Sequence, residues 1–280
     1  MKAALVIFTL LFGAALAKFA SIEPSIVGGS NAPPHAYPFI VSIQWVLNWP
    51  SPSSSHTCGG SLLNRLWVIT AAHCLTESPQ LGRLDALFGN HQHSVIEPGL
   101  TRIEVNRSVS IIHPDWVPGG QVGPEDMALL YLITPVTYGP TIRAIRLPQN
   151  EAYPSGAVIA AGWGSTGPLG LTLPDTLQHV NLNIIDIPTC RAQFDAANLN
   201  GSLVDYTNVC TGGAPGGGVA VCSGDSGGPL FQGAAPNEVL IGVVSWGVIP
   251  CGSANMPSGV FKRVSAYIDW IHEHTGLSPP

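Results

Sequence analysis

Charged residues are scarce in this sequence. Asp, Glu, Lys and Arg make up 10% of the 280 residues, with 11 basic and 17 acidic side chains. The basic residues form no run, so the sequence offers no basic patch for a phosphate backbone and argues against nucleic acid as a partner. The hydrophobic share of 45% is typical of a globular protein rather than a disordered chain.

Long apolar runs are lacking after the first residues. Residues 3–16 are apolar, follow Met1-Lys2, and end in small residues at 15–17. That run is shorter than the roughly 20 residues that a membrane span needs. A charged start, an apolar centre and a small-residue end are instead typical of a signal peptide. We therefore predict a signal peptide at 1–17, a secreted, extracellular protein and no membrane partner.

The sequence contains no Cys-x-x-Cys pair, so the cysteine spacing does not indicate a zinc site. An even number of cysteines in a secreted chain predicts three disulfides, although spacing alone leaves their pairing open. The six are Cys58, Cys74, Cys190, Cys210, Cys222 and Cys251.

Glycine and proline are abundant, with 32 and 25 residues. Together with short apolar runs between turn signals, they favour an all-β barrel or sandwich. Strands are predicted at 38–45, 60–70, 83–89, 108–112 and 127–133 in a first half, and at 157–162, 177–185, 229–231, 239–245 and 259–263 in a second.

The chain shows no long helical pattern before its end. There, Val264, Ile268 and Ile271 fall on one helical face, Ser265 can cap the start, and Gly276 can end the helix. We predict a helix over about 264–275, docked on the second half.

The most informative stretch is Cys222–Pro229, which places Ser226 among small residues where backbone N–H groups can approach a reacting carbonyl. His73 follows an apolar run and Asp126 precedes one. A serine hydroxyl is a weak nucleophile without an adjacent base, so the three residues together indicate nucleophilic catalysis. Their order along the chain, His, Asp and Ser, is that of one known arrangement of such residues.

The motifs that accompany these residues make the chain resemble the chymotrypsin-type (S1) serine endopeptidases over nearly all of 26–276. They are Ile26-Val27-Gly28-Gly29, Cys58-Gly59-Gly60-Ser61-Leu62, Thr70-Ala71-Ala72-His73-Cys74, Asp126-Met127-Ala128-Leu129, Gly162-Trp163-Gly164, Gly224-Asp225-Ser226-Gly227-Gly228-Pro229 and Ser245-Trp246-Gly247. The resemblance implies two antiparallel six-stranded Greek-key barrels, at about 26–140 and 141–262, followed by the C-terminal helix in a peptidase domain at 26–280.

The resemblance also implies roles for individual residues. Ser226 is the nucleophile, His73 the general base and later acid, and Asp126 the group that orients the imidazole. The N–H groups of Gly224 and Ser226 form the oxyanion hole. Residues 245–247 resemble the strand that pairs with the substrate backbone. The implied disulfides are Cys58–Cys74, Cys190–Cys210 and Cys222–Cys251.

Maturation is implied as well, because members of this family are cut just before the position of Ile26. The new ammonium group of Ile26 then pairs with Asp225 and orders the oxyanion loop. Ser25, rather than Arg or Lys, precedes the cut. Residues 18–25 are therefore predicted to be a propeptide removed by a non-tryptic protease or by the enzyme itself.

The residues expected around the primary specificity pocket carry no charge. Trypsin-like relatives have an aspartate six residues before the nucleophile, where this chain has Ala220. Burying an unpaired Lys or Arg there costs several kcal/mol. We therefore predict that the protein does not have tryptic specificity. The other substrate-binding candidates are Ser245, Trp246, Gly247, Ser258 and Gly259. They favour Phe, Tyr, Leu or Met before the scissile bond over the small residues that elastase-like relatives prefer.

The remaining motifs carry less information. His91-Gln92-His93 is interpreted as an exposed loop, and Asn90 replaces a carboxylate of the calcium loop of some relatives, so no metal and no cofactor are predicted. Asn106 and Asn200 begin glycosylation sequons. The expected partners are protein or peptide substrates, the activating protease and protease inhibitors, and the chain is expected to be a monomer.

Two other functions remain as alternatives. The same fold serves as a catalytically silent binding module where the triad is lost, but all three positions are intact here. A lipase-type hydrolase also uses a Gly-x-Ser-x-Gly turn, which residues 224–228 match. It requires the chain order Ser, Asp, His, which this sequence does not have.

Overall fold

The computed structural model describes residues 26–47, 53–119, 123–212 and 216–279. The predicted signal peptide and propeptide lie outside the described residues. None of the described helices is long and apolar enough to cross a membrane.

Short strands account for most of the regular structure. In chain order they are β1 (Ser30–Asn31), β2 (Ile40–Leu47), β3 (Ser53–Leu62), β4 (Trp67–Thr70), β5 (Arg83–Phe88), β6 (Thr101–Glu104), β7 (Ile111–Ile112), β8 (Ala128–Tyr131), β9 (Ala157–Gly162), β10 (Gln178–Ile185), β11 (Asn208–Gly212), β12 (Pro229–Gln232), β13 (Val239–Trp246) and β14 (Pro257–Arg263). The α-helices are α1 (His73–Thr76), α2 (Ile187–Ala196) and α3 (Ile268–Thr275), with short 3₁₀ turns at Gly201–Leu203 and Val264–Ala266.

The first sheet has the spatial order β6-β5-β2-β3-β4-β8-β7, with all neighbouring strands antiparallel. It curls back on itself, because Val105, which directly follows β6, forms a bridge with Leu132, which directly follows β8. Strand β2 runs through the middle, and six of its eight residues are apolar and six are buried, as expected for a strand covered on both faces.

The second sheet has the order β1-β10-β11-β14-β13-β12-β9 and closes into a barrel through the pairing of β9 with β10. Strand β1 precedes the first sheet in the sequence, yet it pairs with β10 of the second. The start of the described chain is thereby attached to the second barrel.

The two barrels share a continuous apolar core. Its largest cluster joins Phe39 and Ile69 of the first sheet to Phe231 and Val243 of the second. The rings of Phe39 and Phe231 meet edge to face with centroids 5.1 Å apart. A separate cluster fills the second barrel and includes Ile26, whose side chain is fully buried. This structure confirms the predicted two-barrel, all-β fold class.

Strands β1, β6 and β11 and the first part of β3 were not predicted, and two further departures from the predicted elements have a local cause. The strand predicted at 60–70 is two strands, because Asn64 Oδ1 accepts the N–H groups of Leu66 and Trp67 at 2.8 and 2.9 Å and holds a turn between β3 and β4. Helix α2 was not predicted, although Asp186 caps it through the N–H of Thr189 at 2.7 Å and a proline occupies its first turn.

The C-terminal helix is shorter than predicted. Gly276 ends it in the left-handed conformation as expected, but Ser265 does not cap its start. The Ser265 hydroxyl instead donates to Ala152 O at 2.6 Å and accepts from Arg263, within a 3₁₀ turn that precedes the helix. A tertiary contact with Ala152 therefore replaces the predicted cap at the start of the helix.

Candidate active site

The pairing of β4 with β8 brings the first two candidate residues together. His73 is the first residue of α1, three residues after β4, and Asp126 lies two residues before β8. Because Thr70 is opposite Ala128 in the register, the two side chains face each other. His73 Nδ1 lies 2.8 Å from Asp126 Oδ2, and the backbone N–H of His73 donates to Asp126 Oδ1 at 3.0 Å.

Asp126 is buried and has a third donor. The Ser245 hydroxyl on β13 donates to Asp126 Oδ2 at 2.6 Å, a contact that the sequence did not predict. Burial would raise the pKa of Asp126, but the hydrogen bond and charge of His73, with help from Ser245, lower it. The carboxylate is therefore ionised at neutral pH and accepts from Nδ1–H of His73, which leaves Nε2 as the acceptor nitrogen of the neutral ring.

The electrostatics of His73 complement those of Asp126. Burial opposes the protonated imidazole, but the hydrogen bond and charge of Asp126 outweigh burial and raise the pKa of His73. Asp126 would therefore stabilise an imidazolium formed at His73 during proton transfer.

Ser226 reaches this pair from the second barrel. The N–H of Gly59 on β3 donates to Ser226 O at 2.8 Å. Gly227 follows with φ +75° and lies against the Thr70 side chain so closely that a Cβ would overlap its hydroxyl oxygen. Glycine is required here by both conformation and space. His73 and Ser226 line one cavity, although no hydrogen bond joins their side chains among the described residues.

The backbone after Cys222 leaves two N–H groups available. The N–H groups of Asp225, Gly227 and Gly228 donate to the carbonyls of Cys222, Val244 and Asp225. Among the described residues, neither Gly224 N–H nor Ser226 N–H has an acceptor. These two donors flank the nucleophile, which is the arrangement an oxyanion hole requires.

A cavity of about 220 Å³ opens beside Ser226, here called the primary cavity. All of its lining side chains are uncharged: Val221, Cys222, Ser223, Ser226, Val244, Ser245, Trp246, Gly247, Val248, Ile249 and Cys251. Helix α2 supports one wall, since the ring of Phe194 packs on Trp246 with centroids 5.0 Å apart. A Cβ at Gly247 would meet nothing within 4 Å, so this wall is open.

Three residues predicted for the pocket do not line the primary cavity. Ala220 packs with Val27 and the Cys222–Cys251 disulfide, and its N–H donates to Val27 O at 3.0 Å. Ser258 and Gly259 lie behind Val221, whose methyl group is in tight contact with Gly259. The bulge in β14 between Pro257 and Gly259 sets this arrangement, and the extra residue there had made the prediction ambiguous.

Comparison with known proteins identifies the family. The trypsin family model matches residues 26–271. The chain is 32% identical to kallikrein 1-related peptidase b11 of Mus musculus over 263 residues, which cover 92% of each protein. It is 33% identical to the serine proteinase Stubble of Drosophila melanogaster over 254 residues, or 90% of this chain, and spans 31% of Stubble's length. The chain belongs to the trypsin family.

The three disulfides of this trypsin-family chain pair as the resemblance implied: Cys58–Cys74, Cys190–Cys210 and Cys222–Cys251. The first joins the strand that supports Ser226 to α1, next to His73. The third closes the primary cavity. Asn106 is partly exposed and Asn200 is exposed, and both remain glycosylation predictions.

The carboxylate of Asp225 is buried within residues 222–226, the predicted oxyanion loop. It accepts the N–H groups of Gly164 and Cys222 at 2.8 and 2.9 Å. A Cβ at Gly162 or Gly164 would overlap this carboxylate, which explains the glycines on both sides of Trp163. Burial raises the pKa of Asp225 to about 7, against the effect of the two N–H donors. A cation in this site would hold the carboxylate in its charged form.

His56 holds the oxyanion loop from below, a role that the sequence did not predict. Its Nε2 lies 2.9 Å from Gly224 O and its Nδ1 lies 2.8 Å from Ser42 Oγ. Burial, with the adjacent His93, lowers the pKa of His56 to about 4, against the effect of the Gly224 carbonyl. The neutral ring has one donor and one acceptor, so Nε2–H donates to Gly224 O and Nδ1 accepts from Ser42. The peptide of Gly224 is thereby oriented.

We predict that His56→Phe lowers kcat by about tenfold or more and changes KM much less. The variant keeps the ring but releases the Gly224 carbonyl, and complete loss of an oxyanion donor costs roughly 100- to 1000-fold in kcat. Steady-state kinetics on a peptide ester and the affinity for a peptide aldehyde, which forms a tetrahedral adduct, measure the effect.

His93→Phe is the matched control. The His93 ring packs 5.3 Å from that of His56, but among the described residues neither of its nitrogens has a hydrogen-bond partner. Its kcat should stay within about twofold of the wild type. Equal loss in both variants would show that ring packing, not the bond to Gly224, supports the loop.

Proposed function

We propose that this chain is a secreted serine endopeptidase that cleaves peptide bonds after large apolar residues. The proposal is carried by one observation: His73, paired with Asp126, lines the same cavity as Ser226 and Gly224, and the primary cavity, lined only by uncharged groups, also opens beside Ser226. Family membership supports the serine protease chemistry. Secretion is supported by the signal-like residues 1–17 and by the three disulfides, which form in oxidising compartments.

The reaction follows from the positions of these groups. Ser226 Oγ attacks the substrate carbonyl carbon while His73 Nε2 takes its proton, and Asp126 stabilises the imidazolium. The oxyanion forms against the N–H groups of Gly224 and Ser226, each worth roughly 3 kcal/mol in the transition state. His73 then protonates the leaving amine, and water releases the acyl group from Ser226 by the same steps.

Ser226→Ala provides the test of the chemical mechanism. An organofluorophosphate should label the cleaved wild-type protein at Ser226 and stop its peptidase activity, because the labelled oxygen is the attacking atom. Mass spectrometry of the labelled peptide measures this. Absence of label and of activity in correctly cleaved wild-type protein would instead support the alternative, a catalytically silent binding module.

The primary cavity supports the preference for large apolar residues. Its volume of about 220 Å³ exceeds the roughly 150 Å³ that suffices for benzene in an engineered apolar cavity. The open position of Gly247 leaves the entrance wide. Val221 and Val248 narrow the interior, which keeps an elastase-like preference for small apolar residues as the second candidate.

We predict that substrates with Phe or Leu before the scissile bond exceed the Ala substrate in kcat/KM by at least about tenfold, since a few methylenes are worth about 1–3 kcal/mol each in such a pocket. The Arg substrate should be slower by roughly 100-fold, because its charge would be buried without a partner. Gly247→Val should shift the preference toward Ala, and Gly139→Val, at another uncrowded glycine, should not. Ala above Phe in the wild type would establish the elastase-like alternative, and efficient cleavage after Arg would refute both.

The position of Ile26 supports activation by cleavage as part of the proposed function. Ile26 is buried in the second barrel, and its neighbour Val27 accepts from Ala220, so the segment that begins at Ile26 is already docked next to the oxyanion loop. Cleavage after Ser25 would create an ammonium group at Ile26, and the buried Asp225 carboxylate is the partner we propose for it. If the enzyme cleaves itself, the Ser226→Ala precursor should remain uncleaved, whereas a separate activating protease would process both proteins.

We predict that stability falls with rising pH in both the uncleaved and the cleaved protein, but in different pH ranges. In the uncleaved chain the raised pKa of Asp225, about 7, means that the folded state holds a proton that the unfolded state has lost above about pH 4. Stability should therefore fall as pH rises from about 4 to 7. In the cleaved chain the paired Ile26 amine has a raised pKa, so its contribution is present below about pH 8 and is lost at more alkaline pH.

Thermal unfolding between pH 5 and 10 measures both effects, with Asp225→Asn as the control that removes the titrating carboxyl. Activity of the cleaved enzyme should rise as His73 loses its proton and fall again in alkaline solution. A flat activity profile up to the lysine range would contradict the Ile26–Asp225 pair.

A further inference from the structure

A second cavity meets the primary cavity at Ser226. It has a volume of about 340 Å³ and is called here the leaving-group cavity. Its lining residues are Thr57, Cys58, His73, Cys74, Glu77, Ser78, Pro79, Ser223, Gly224 and Ser226. His73 lines this cavity and is not among the residues that line the primary cavity. Because His73 protonates the leaving amine, the residue after the scissile bond must lie on this side of Ser226.

Glu77 carries the only permanent charge among the described residues that line either cavity. The three internal segments outside the described residues, 48–52, 120–122 and 213–215, contain no charged residue in their sequence. Glu77 is therefore the charged side chain that a substrate would meet directly in these two cavities.

The position of Glu77 relative to the catalytic histidine is fixed by the backbone. The N–H of Glu77 donates to His73 O at 2.9 Å, which closes the turn of α1. Side chains four residues apart on a helical turn share a face, so the carboxylate and the imidazole project toward the same cavity.

No salt bridge of the described residues involves Glu77, which is exposed. The nearby cation Arg107 is engaged elsewhere. Its guanidinium donates to the carbonyls of Leu75, Ser78 and Pro79. The Glu77 carboxylate is thus available to a group on the substrate.

We propose that Glu77 selects substrates with Arg or Lys as the first residue after the scissile bond. This inference rests on the proposed endopeptidase function and adds a second specificity element to it. The apolar primary cavity accepts the residue before the bond, and Glu77 attracts a cationic side chain on the leaving group. The preferred cleavage site is an apolar residue followed by a basic one.

Partition of the acyl-enzyme tests this inference independently of the primary specificity. The enzyme is acylated with whichever peptide ester it cleaves best, and argininamide or its neutral isostere citrullinamide competes with water. The α-amine attacks the ester carbon, the bond from that carbon to Ser226 Oγ breaks, and the amine's proton returns to Oγ through His73. The ratio of amide product to hydrolysis product then reports only binding on the leaving-group side.

Argininamide should be the better nucleophile by about threefold to fivefold at low salt, the range of an exposed ion pair. The advantage should shrink at high salt because the pair is solvent-exposed. Glu77→Gln should abolish the preference and Glu77→Lys should reverse it. Glu273→Gln, which removes an exposed carboxylate on α3, outside both cavities, should retain it.

The burst of alcohol released on acylation separates the two possible failures. A normal burst with equal partition between the two amides, or a preference that survives in Glu77→Gln, would overturn the role of Glu77 alone. Absence of a burst with every ester would overturn the proposed endopeptidase function, and the inference with it.

Discussion

The buried carboxylate of Asp225 is the group around which the active-site loop is organised. Two backbone N–H groups, from Gly164 and Cys222, hold its oxygens, and glycines on either side of Trp163 leave the space it occupies. These bonds set the course of the chain from Cys222 to Ser226. Among the described residues, the N–H groups of Gly224 and Ser226 have no backbone acceptor. A charged group so deeply buried is costly without a cation, so the same carboxylate can make the loop depend on cleavage elsewhere in the chain.

The proposed catalytic groups come from both barrels, so the contact between the barrels determines their geometry. The first barrel supplies His73 and Asp126 through the β4–β8 pair, and the second supplies Ser226 and Ser245. Gly227 against Thr70, Gly59 N–H on Ser226 O, and the His56 bond to Gly224 O fasten the nucleophile loop to the first barrel. Each of these short contacts helps to orient the nucleophile loop relative to the first barrel.

Much of the fold could be predicted because strand patterns and turn residues act locally. The predicted strands around 83–89, 157–162, 177–185 and 239–245 correspond closely to β5, β9, β10 and β13. Two of the failures also have local causes, and a third has a tertiary cause. Asn64 folds a turn into an apolar run that looked continuous, and Asp186 with a proline begins a helix where the hydrophobic periodicity is weak. The expected Ser265 cap failed because a tertiary acceptor, Ala152 O, binds the hydroxyl.

In the candidate site, too, some features were predictable from local sequence and others depended on tertiary contacts. The sequence alone determined which residues are proposed to carry the chemistry, because the candidate nucleophile, base and carboxylate each lie within a short motif whose residue types are dictated by reactivity. Only the tertiary structure decided which groups support them. The partners of Asp126 and Gly224, namely Ser245 and His56, are distant in sequence and ordinary in type. The sequence likewise did not show that Ala220 lies outside the lining of the primary cavity or that Glu77 lines the leaving-group cavity. Proximity between side chains depends on strand register and barrel contact, and a linear motif does not encode either.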